Sequence, residues 1–360
     1  MKPVQVTEPF LPPLEDYVEY LKGIWNHNLL TNQGPLVRKL EQKLQAYHGI
    51  DMPVHCVANG GLGLQIALKA HGVKGEVITT PFSYVATASC PLWEGNTLKF
   101  ADIEPDSLTI DPVAVEAAIG PDTEAILGTH VFGNPCDCEA LEKIASKHDL
   151  ALIFDAAHAY GVRYKGKSIM EYGDVSMMSL HATKLLHTVE GGFVVAKDSA
   201  VAEKVEWMRR FGHKGYEAFH GVGINAKMSE LHAAMGLCNL KYLDAILRKR
   251  QEVCEIYDQF IDSAESLSTI SYRISTSRNY SYYPVIFDSE VSLLQAVEHC
   301  RRANVFPRRY FHPSLTILPN RLSGELPIAD DISKRILCLP LYESMSPKAV
   351  DLILSSLKGL

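Results

Sequence analysis

No stretch of the 360 residues approaches the length of a membrane span, and the opening MKPVQVTEPFLPPLEDY lacks a secretory signal's apolar run. A bilayer crossing needs about 20 consecutive apolar residues, so the chain is expected to be cytoplasmic. An excess of positive charge is missing too. The formal net charge is −7, and no general basic field recruits nucleic acid, although a local basic pocket is compatible with it. No Gly-x-Gly-x-x-Gly follows a strand candidate, which leaves a dinucleotide fold little support. The eight cysteines, at 56, 90, 136, 138, 238, 254, 300 and 338, are too scattered for a disulfide framework in a chain this long. Cys136 and Cys138 have no second pair or His cluster nearby to complete a zinc site. Reduced structural thiols are expected. Internal repeats and low-complexity segments are absent as well.

What remains is a globular composition, 47% hydrophobic and 21% charged. By length it suits about two domains, or one large α/β unit with an appendage. Between about 36 and 196 short apolar runs alternate with helical patterns. The strand candidates are 77–80, 98–103, 124–131, 150–156, 174–180 and 191–196, with PVAVEAAI and CEALEKIASKHD among the helical segments. Such alternation predicts a mostly parallel sheet covered by helices on both faces. A long helical stretch from about Met228 to Ile261 is expected to connect it to a smaller C-terminal α+β domain. In that domain YSYYPVIF and RILCLPLY read as strands, and SEVSLLQAVEHCRRA and SPKAVDLILSSL as helices. The expected division is 1–245 for the large domain with its N-terminal segment and 246–360 for the small one.

Ligands in parallel α/β sheets sit outside the carboxyl ends of the strands, and several chemically capable residues follow predicted strands. Lys184, in SLHATKLLHTVEGG, lies between one strand and the Gly-Gly that opens the next. There its amine is a candidate nucleophile if burial lowers its pKa; a lone loop lysine is more often a solvated one. Asp155 ends LALIFDA, where a partly desolvated carboxylate calls for a cationic or hydrogen-bonding partner. A pyridinium nitrogen is one such partner, and a helix N-cap role is the alternative. His158 follows three residues later. In ANGGLGLQIALKAHG the amides of Gly60, Gly61 and Leu62 at a helix start make an anion site suited to phosphate, or else an ordinary turn. Ser179 offers a hydroxyl five residues before Lys184, and Tyr84, in PFSYVAT, offers a ring for a planar ligand or for the core.

Taken in order, NGGLGLQIAL, PFSYVAT, FDAAHA, SLHATK with its EGG, and GINAKMSELHAAMG resemble the DegT/DnrJ/EryC1/StrS family of sugar aminotransferases, from LTNQGP to PLYESMS. The resemblance implies an aspartate aminotransferase-like fold type I and pyridoxal 5'-phosphate (PLP) as cofactor, alternating with pyridoxamine phosphate. It implies that Lys184 holds the cofactor as a Schiff base and that Asp155 pairs with its pyridinium nitrogen. His158 neighbours the phenolic oxygen, Tyr84 stacks on the ring, and Ser179, Gly60 and Gly61 hold the phosphate. Asn225 is implied to reach the phosphate from a partner subunit, which makes a homodimer with shared sites. Gly61 stands where many relatives carry Thr, and Lys227 where Arg is common.

The opening VTEPFLPPLEDYVEYLKGIW and the segment PRRYFHP are most similar to members that aminate dTDP-4-keto-6-deoxy-D-glucose. The implied reaction moves an amino group from L-glutamate to a nucleotide-linked ketosugar, with Lys184 carrying the proton. Arg308, Arg309 and Tyr310 are the candidates for binding the sugar nucleotide, with surface solvation as the plain alternative for the arginines. Amination of a 3-keto or UDP-linked sugar is the rival within the family. A non-catalytic binding protein on the same fold is the rival outside it. Related dehydratases carry His in place of the lysine, and Lys184 argues against that branch.

Overall fold

The structure is a computed structural model that describes residues 2–319 and 321–358. Its centre is an eight-stranded sheet ordered Arg321–Ser323, Thr97–Phe100, Glu76–Thr79, Thr123–Thr129, Ala151–Asp155, Val175–Ser179, Gly192–Ala196, Val54–Val57. All adjacent pairs are parallel except the two made by Gly192–Ala196. All six strands read from the sequence lie in it. The strands Val54–Val57 and Arg321–Ser323 escape that reading. The first is a four-residue run, VHCV, too short to show a periodicity and interrupted by His55, and the second comes from the C-terminal part of the chain to complete an edge.

Side-chain alternation splits the interior into two apolar layers. Leu152 and Phe154 face one, with Ile126, Met178 and Phe193. Ala151 and Ile153 face the other, with Leu127, Val175, Met177 and Val194. Asp155, two residues beyond Ile153, therefore emerges on the second face at the carboxyl end. Pairing aligns it with Thr129 on one side and Met177 on the other.

The helix Gly60–His71 packs on that same face against Val175–Ser179 and Gly192–Ala196. Asn59 starts it by accepting from the Leu62 amide at 2.9 Å, and Gly72, at φ 90°, ends it in the left-handed region that glycine tolerates. Gly63 permits the close approach: a Cβ there would sit 2.8 Å from the Met177 side chain.

The expected helix from 228 to 261 is two helices, Glu230–Leu240 and Leu243–Asp262. The break at Lys241 and Tyr242 has no Gly or Pro to signal it. Tertiary contacts make it: Lys241 Nζ and Tyr242 Oη both donate to Asp16, at 3.1 and 2.9 Å, and Phe10 packs 5.4 Å from the Tyr242 ring.

Further on, Leu267–Ser268, Tyr283–Phe287 and Ile336–Leu339 form an antiparallel sheet. The helices Glu290–Arg302 and Pro347–Leu357 accompany it, as the sequence predicts. The N-terminal segment joins this part: Val4 and Gln5 pair in parallel with Val305 and Phe306. From there residues 6–10 run back, the Val6 carbonyl accepting from Leu341 N at 3.1 Å and the Phe10 carbonyl from His187 Nε2 at 2.7 Å. All eight cysteines are buried and unpaired. None of the described helices is long and apolar enough to cross a membrane.

Candidate active site

At the carboxyl ends of the central strands a cavity of about 280 Å³ is lined by Gly60, Gly61, Tyr84, Asp155, His158, Ser179, Lys184, Arg308 and Tyr310. Nine of the eleven residues singled out from sequence thus share one cavity. Asn225 and Arg309 are elsewhere.

Asp155, 4% exposed, ends its strand on the cavity floor. Thr87 Oγ1 donates to Oδ2 at 2.8 Å, and the Ala157 amide donates to Oδ1 at 3.0 Å. Burial nonetheless raises its pKa, against those two donors and the charge of Lys184. No ion pair reaches this carboxylate among the described residues, so a buried acid stands fixed in orientation and short of a cation.

Lys184 follows the strand Val175–Ser179 on a short turn, its amide bonded to the His181 carbonyl at 2.8 Å. Burial of its amine draws the pKa down to about 8, with Asp155 and then Tyr84 opposing. Near neutral pH a useful fraction is the free amine, which is what a nucleophile or proton carrier requires.

His158 is buried, and its Nδ1 accepts from the Phe132 amide at 3.1 Å. Burial first, and the Lys184 charge second, lower its pKa well below the ordinary value. The ring is neutral, and an acceptor at Nδ1 puts the proton on Nε2, a donor for whatever lies beyond.

Gly60 and Gly61 are the first residues of the capped helix, where amides have no helical partner and the dipole favours an anion. A Cβ on Gly60 would lie 3.1 Å from Ser179 Cβ and 3.4 Å from its Oγ. Glycine here keeps open a cradle between the helix start and the Ser179 hydroxyl. Tyr84, 54% exposed, stands at the rim.

The two arginines part company. Arg308 is exposed, its guanidinium 4.8 Å over the Tyr310 ring, and its backbone is pinned by bonds to Cys338 at 3.1 and 2.8 Å. Arg309 turns away, donating to Glu290 at 2.6 Å and to the Lys334 carbonyl at 2.8 Å. It borders a neighbouring cavity of about 230 Å³. Asn225 lies exposed near the hairpin of His213–Lys214 and Ala218–Phe219, its side chain accepting from Lys227.

Sequence reasoning missed Thr87 and Tyr282. Thr87 lies 68 residues from the carboxylate it binds, and Tyr282, just before the strand Tyr283–Phe287, meets Lys184 Nζ at 3.3 Å. No local spacing signals either. It also missed the pair of His181 and Glu190, 3.6 Å apart on the cavity wall.

A sequence model of the DegT/DnrJ/EryC1/StrS aminotransferase family matches residues 14–358. The chain belongs to that family. Among similar proteins, the dTDP-4-amino-4,6-dideoxy-D-glucose transaminase of Shigella dysenteriae is 39% identical, covering 100% of this chain and 99% of that protein. The Escherichia coli protein of the same name is 35% identical, covering 99% of each. Among solved structures, DesI, crystallised in the presence of its TDP-sugar product, superposes with a TM-score of 0.93 at 31% identity, covering 100% of this chain and 94% of that one. The fold is thus fold type I, and the family is PLP-dependent. The site suits that cofactor on its own geometry. A phosphate matches the open cradle at Gly60 and Ser179, a pyridinium matches the cation-poor Asp155, and an amine-reactive aldehyde matches Lys184.

Proposed function

We propose that this enzyme transfers an amino group from L-glutamate to the ketone of dTDP-4-keto-6-deoxy-D-glucose, giving dTDP-4-amino-4,6-dideoxy-D-glucose. What carries the reading is one conjunction: an amine poised near neutral pH and an unpaired buried carboxylate in one cavity, within a chain 39% identical along its whole length to a transaminase with that product in its name.

When bound, the cofactor supplies an electron-withdrawing ring that eases removal of a proton from the carbon bearing the amine. The residues of this chain do the rest. Lys184 would hold the cofactor through its side-chain amine and, whenever that amine is free, would take up and return a proton at the substrate carbon. Asp155, fixed by Thr87 and Ala157, keeps the ring nitrogen protonated. His158 donates from Nε2 to the phenolic oxygen. Gly60, Gly61 and Ser179 receive the phosphate, and Tyr84 covers the ring face. Arg308, unpaired by any carboxylate among the described residues, supplies charge for the substrate's diphosphate, with Tyr310 beneath it. Asn225 lies outside its own cavity, which suits a role at the phosphate of a second subunit in a homodimer, within the cytoplasm.

The test is an amination assay with glutamate and a panel of dTDP- and UDP-linked 4-keto and 3-keto sugars, products identified by NMR. A clear kcat/KM preference for the dTDP-linked 4-keto sugar is expected. Exclusive use of a 3-keto or UDP-linked sugar sinks the acceptor and leaves the amino transfer standing. No transfer to any of them sinks both.

A further inference from the structure

We propose that Tyr282 is a positioning residue for this reaction: its hydroxyl holds the Lys184 amine at the reacting centre during the part of each cycle when that amine is not bonded to the cofactor. The inference rests on the role given to Lys184 above and adds the partner which that role needs.

A lysine that serves in turn as anchor and as proton carrier must be free for part of every turnover. Its four-carbon stem then has many staggered conformers, and only a few aim the nitrogen usefully. Misplacement by about 1 Å costs roughly 100-fold in rate, so something must select the conformer. The charged and titratable groups lining the cavity around the amine are Asp155 and His158 on the floor, Tyr84, Arg308 and Tyr310 at the rim, His181 and Glu190 on the wall, and Tyr282 opposite. Among the described residues Tyr282 alone hydrogen-bonds Nζ, as acceptor at 3.3 Å, with the ring centre 5.8 Å from the nitrogen.

Tyr282 is built to stay in place. It is 7% exposed, and its ring lies 4.5 Å from that of His158, 5.9 Å from Phe132 and 5.8 Å from Tyr310. The backbone leading to it is clamped by the buried Arg250, which donates to the Tyr280 and Ser281 carbonyls at 2.8 Å each. Burial pushes the phenol's pKa well up, so it remains a neutral hydroxyl across the working range. Lys184 lies on the turn after a strand of the large sheet, and Tyr282 immediately before a strand of the smaller one. The hydrogen bond spans the two.

Tyr282→Phe keeps the ring contacts and removes only the hydroxyl. Its kcat is expected to fall about 10- to 100-fold, with KM for both substrates within about twofold of wild type, as for an interaction that serves the chemical step. A second readout needs no cofactor. In cofactor-free protein, labelling of Lys184 by acetic anhydride is followed against pH by mass spectrometry of its peptide. Losing an acceptor of the ammonium form moves the midpoint down. Tyr282→Met, whose adaptable chain fills similar space, gives the same reading without a ring should the Phe variant melt early. A midpoint and kcat both at wild-type values in either variant overturn the proposal and leave Tyr282 as packing; so does a loss confined to KM. If wild type aminates no ketosugar, the proposed reaction fails, while the midpoint in cofactor-free protein still decides whether Tyr282 governs Lys184.

Discussion

The floor and the rim of the cavity are built in opposite ways. On the floor, Asp155, Thr87 and His158 are buried and hydrogen-bonded to the sheet and its first connections. At the rim, Tyr84, Arg308 and, away from the cavity, Asn225 are exposed on loops. Burial is what shifts pKa values and fixes orientation, so the floor can govern reactivity; exposure leaves the rim to meet a large charged substrate. Changes to the floor should strike kcat and cofactor retention, and changes to the rim should strike KM.

The sharpest test of that division is Lys184→Ala. A positioned proton carrier contributes about 10²–10⁴-fold, and here the anchor is lost too, so turnover should fall at least that far. Borohydride reduction should give no cofactor adduct on the peptide in mass spectrometry. Wild-type turnover would end the assignment. Asp155→Asn comes next: loss of a charge-assisted bond costs roughly 1.5–3 kcal/mol, and cofactor affinity, read by equilibrium dialysis, should weaken by about 10- to 100-fold, with kcat reduced further.

At the rim the two arginines separate. Arg308→Ala should raise KM for the sugar nucleotide by about tenfold, the lower end of the value of a charged hydrogen bond, and spare kcat. Arg309→Ala should leave that KM alone and lower the melting temperature slightly instead, because its bonds run to Glu290 and Lys334. The same KM effect in both variants would erase the distinction.

The smallest effect concerns stability. The Lys184 pKa is depressed to about 8 in the cofactor-free fold, so between there and the ordinary lysine value the unfolded chain binds more protons and stability rises with pH. Lys184→Met should therefore melt higher than wild type near neutral pH, both without cofactor. The gap should narrow as pH climbs through that window. An advantage independent of pH would argue against the buried amine as its cause.

Much of the floor was legible in the sequence because strand ends and helix starts announce themselves locally. An apolar run closing on Asp155, a Gly-Gly opening a helix and a lysine between two strands all carry their spacing with them. Thr87 and Tyr282 do not. Each reaches its partner across the fold, and a threonine at the start of a helix or a tyrosine just before a strand looks the same whether or not a carboxylate or an amine waits opposite. The break at Tyr242 was hidden for a related reason, since Asp16 makes it from more than 200 residues away. Likewise the edge strand Arg321–Ser323 is defined by the neighbour it pairs with rather than by its own pattern.

Residues 4–10 are pinned at one end to Val305 and Leu341 and at the other, through the Phe10 carbonyl, to His187, three residues beyond Lys184. On the ribosome this strap has nothing to grip at its leading end until residue 305 has emerged, although the strands that carry Asp155 and Ser179 are complete more than 100 residues earlier. The strap that braces the lysine turn is therefore expected to be anchored at both ends only late in synthesis, after the strands that floor the active site are complete.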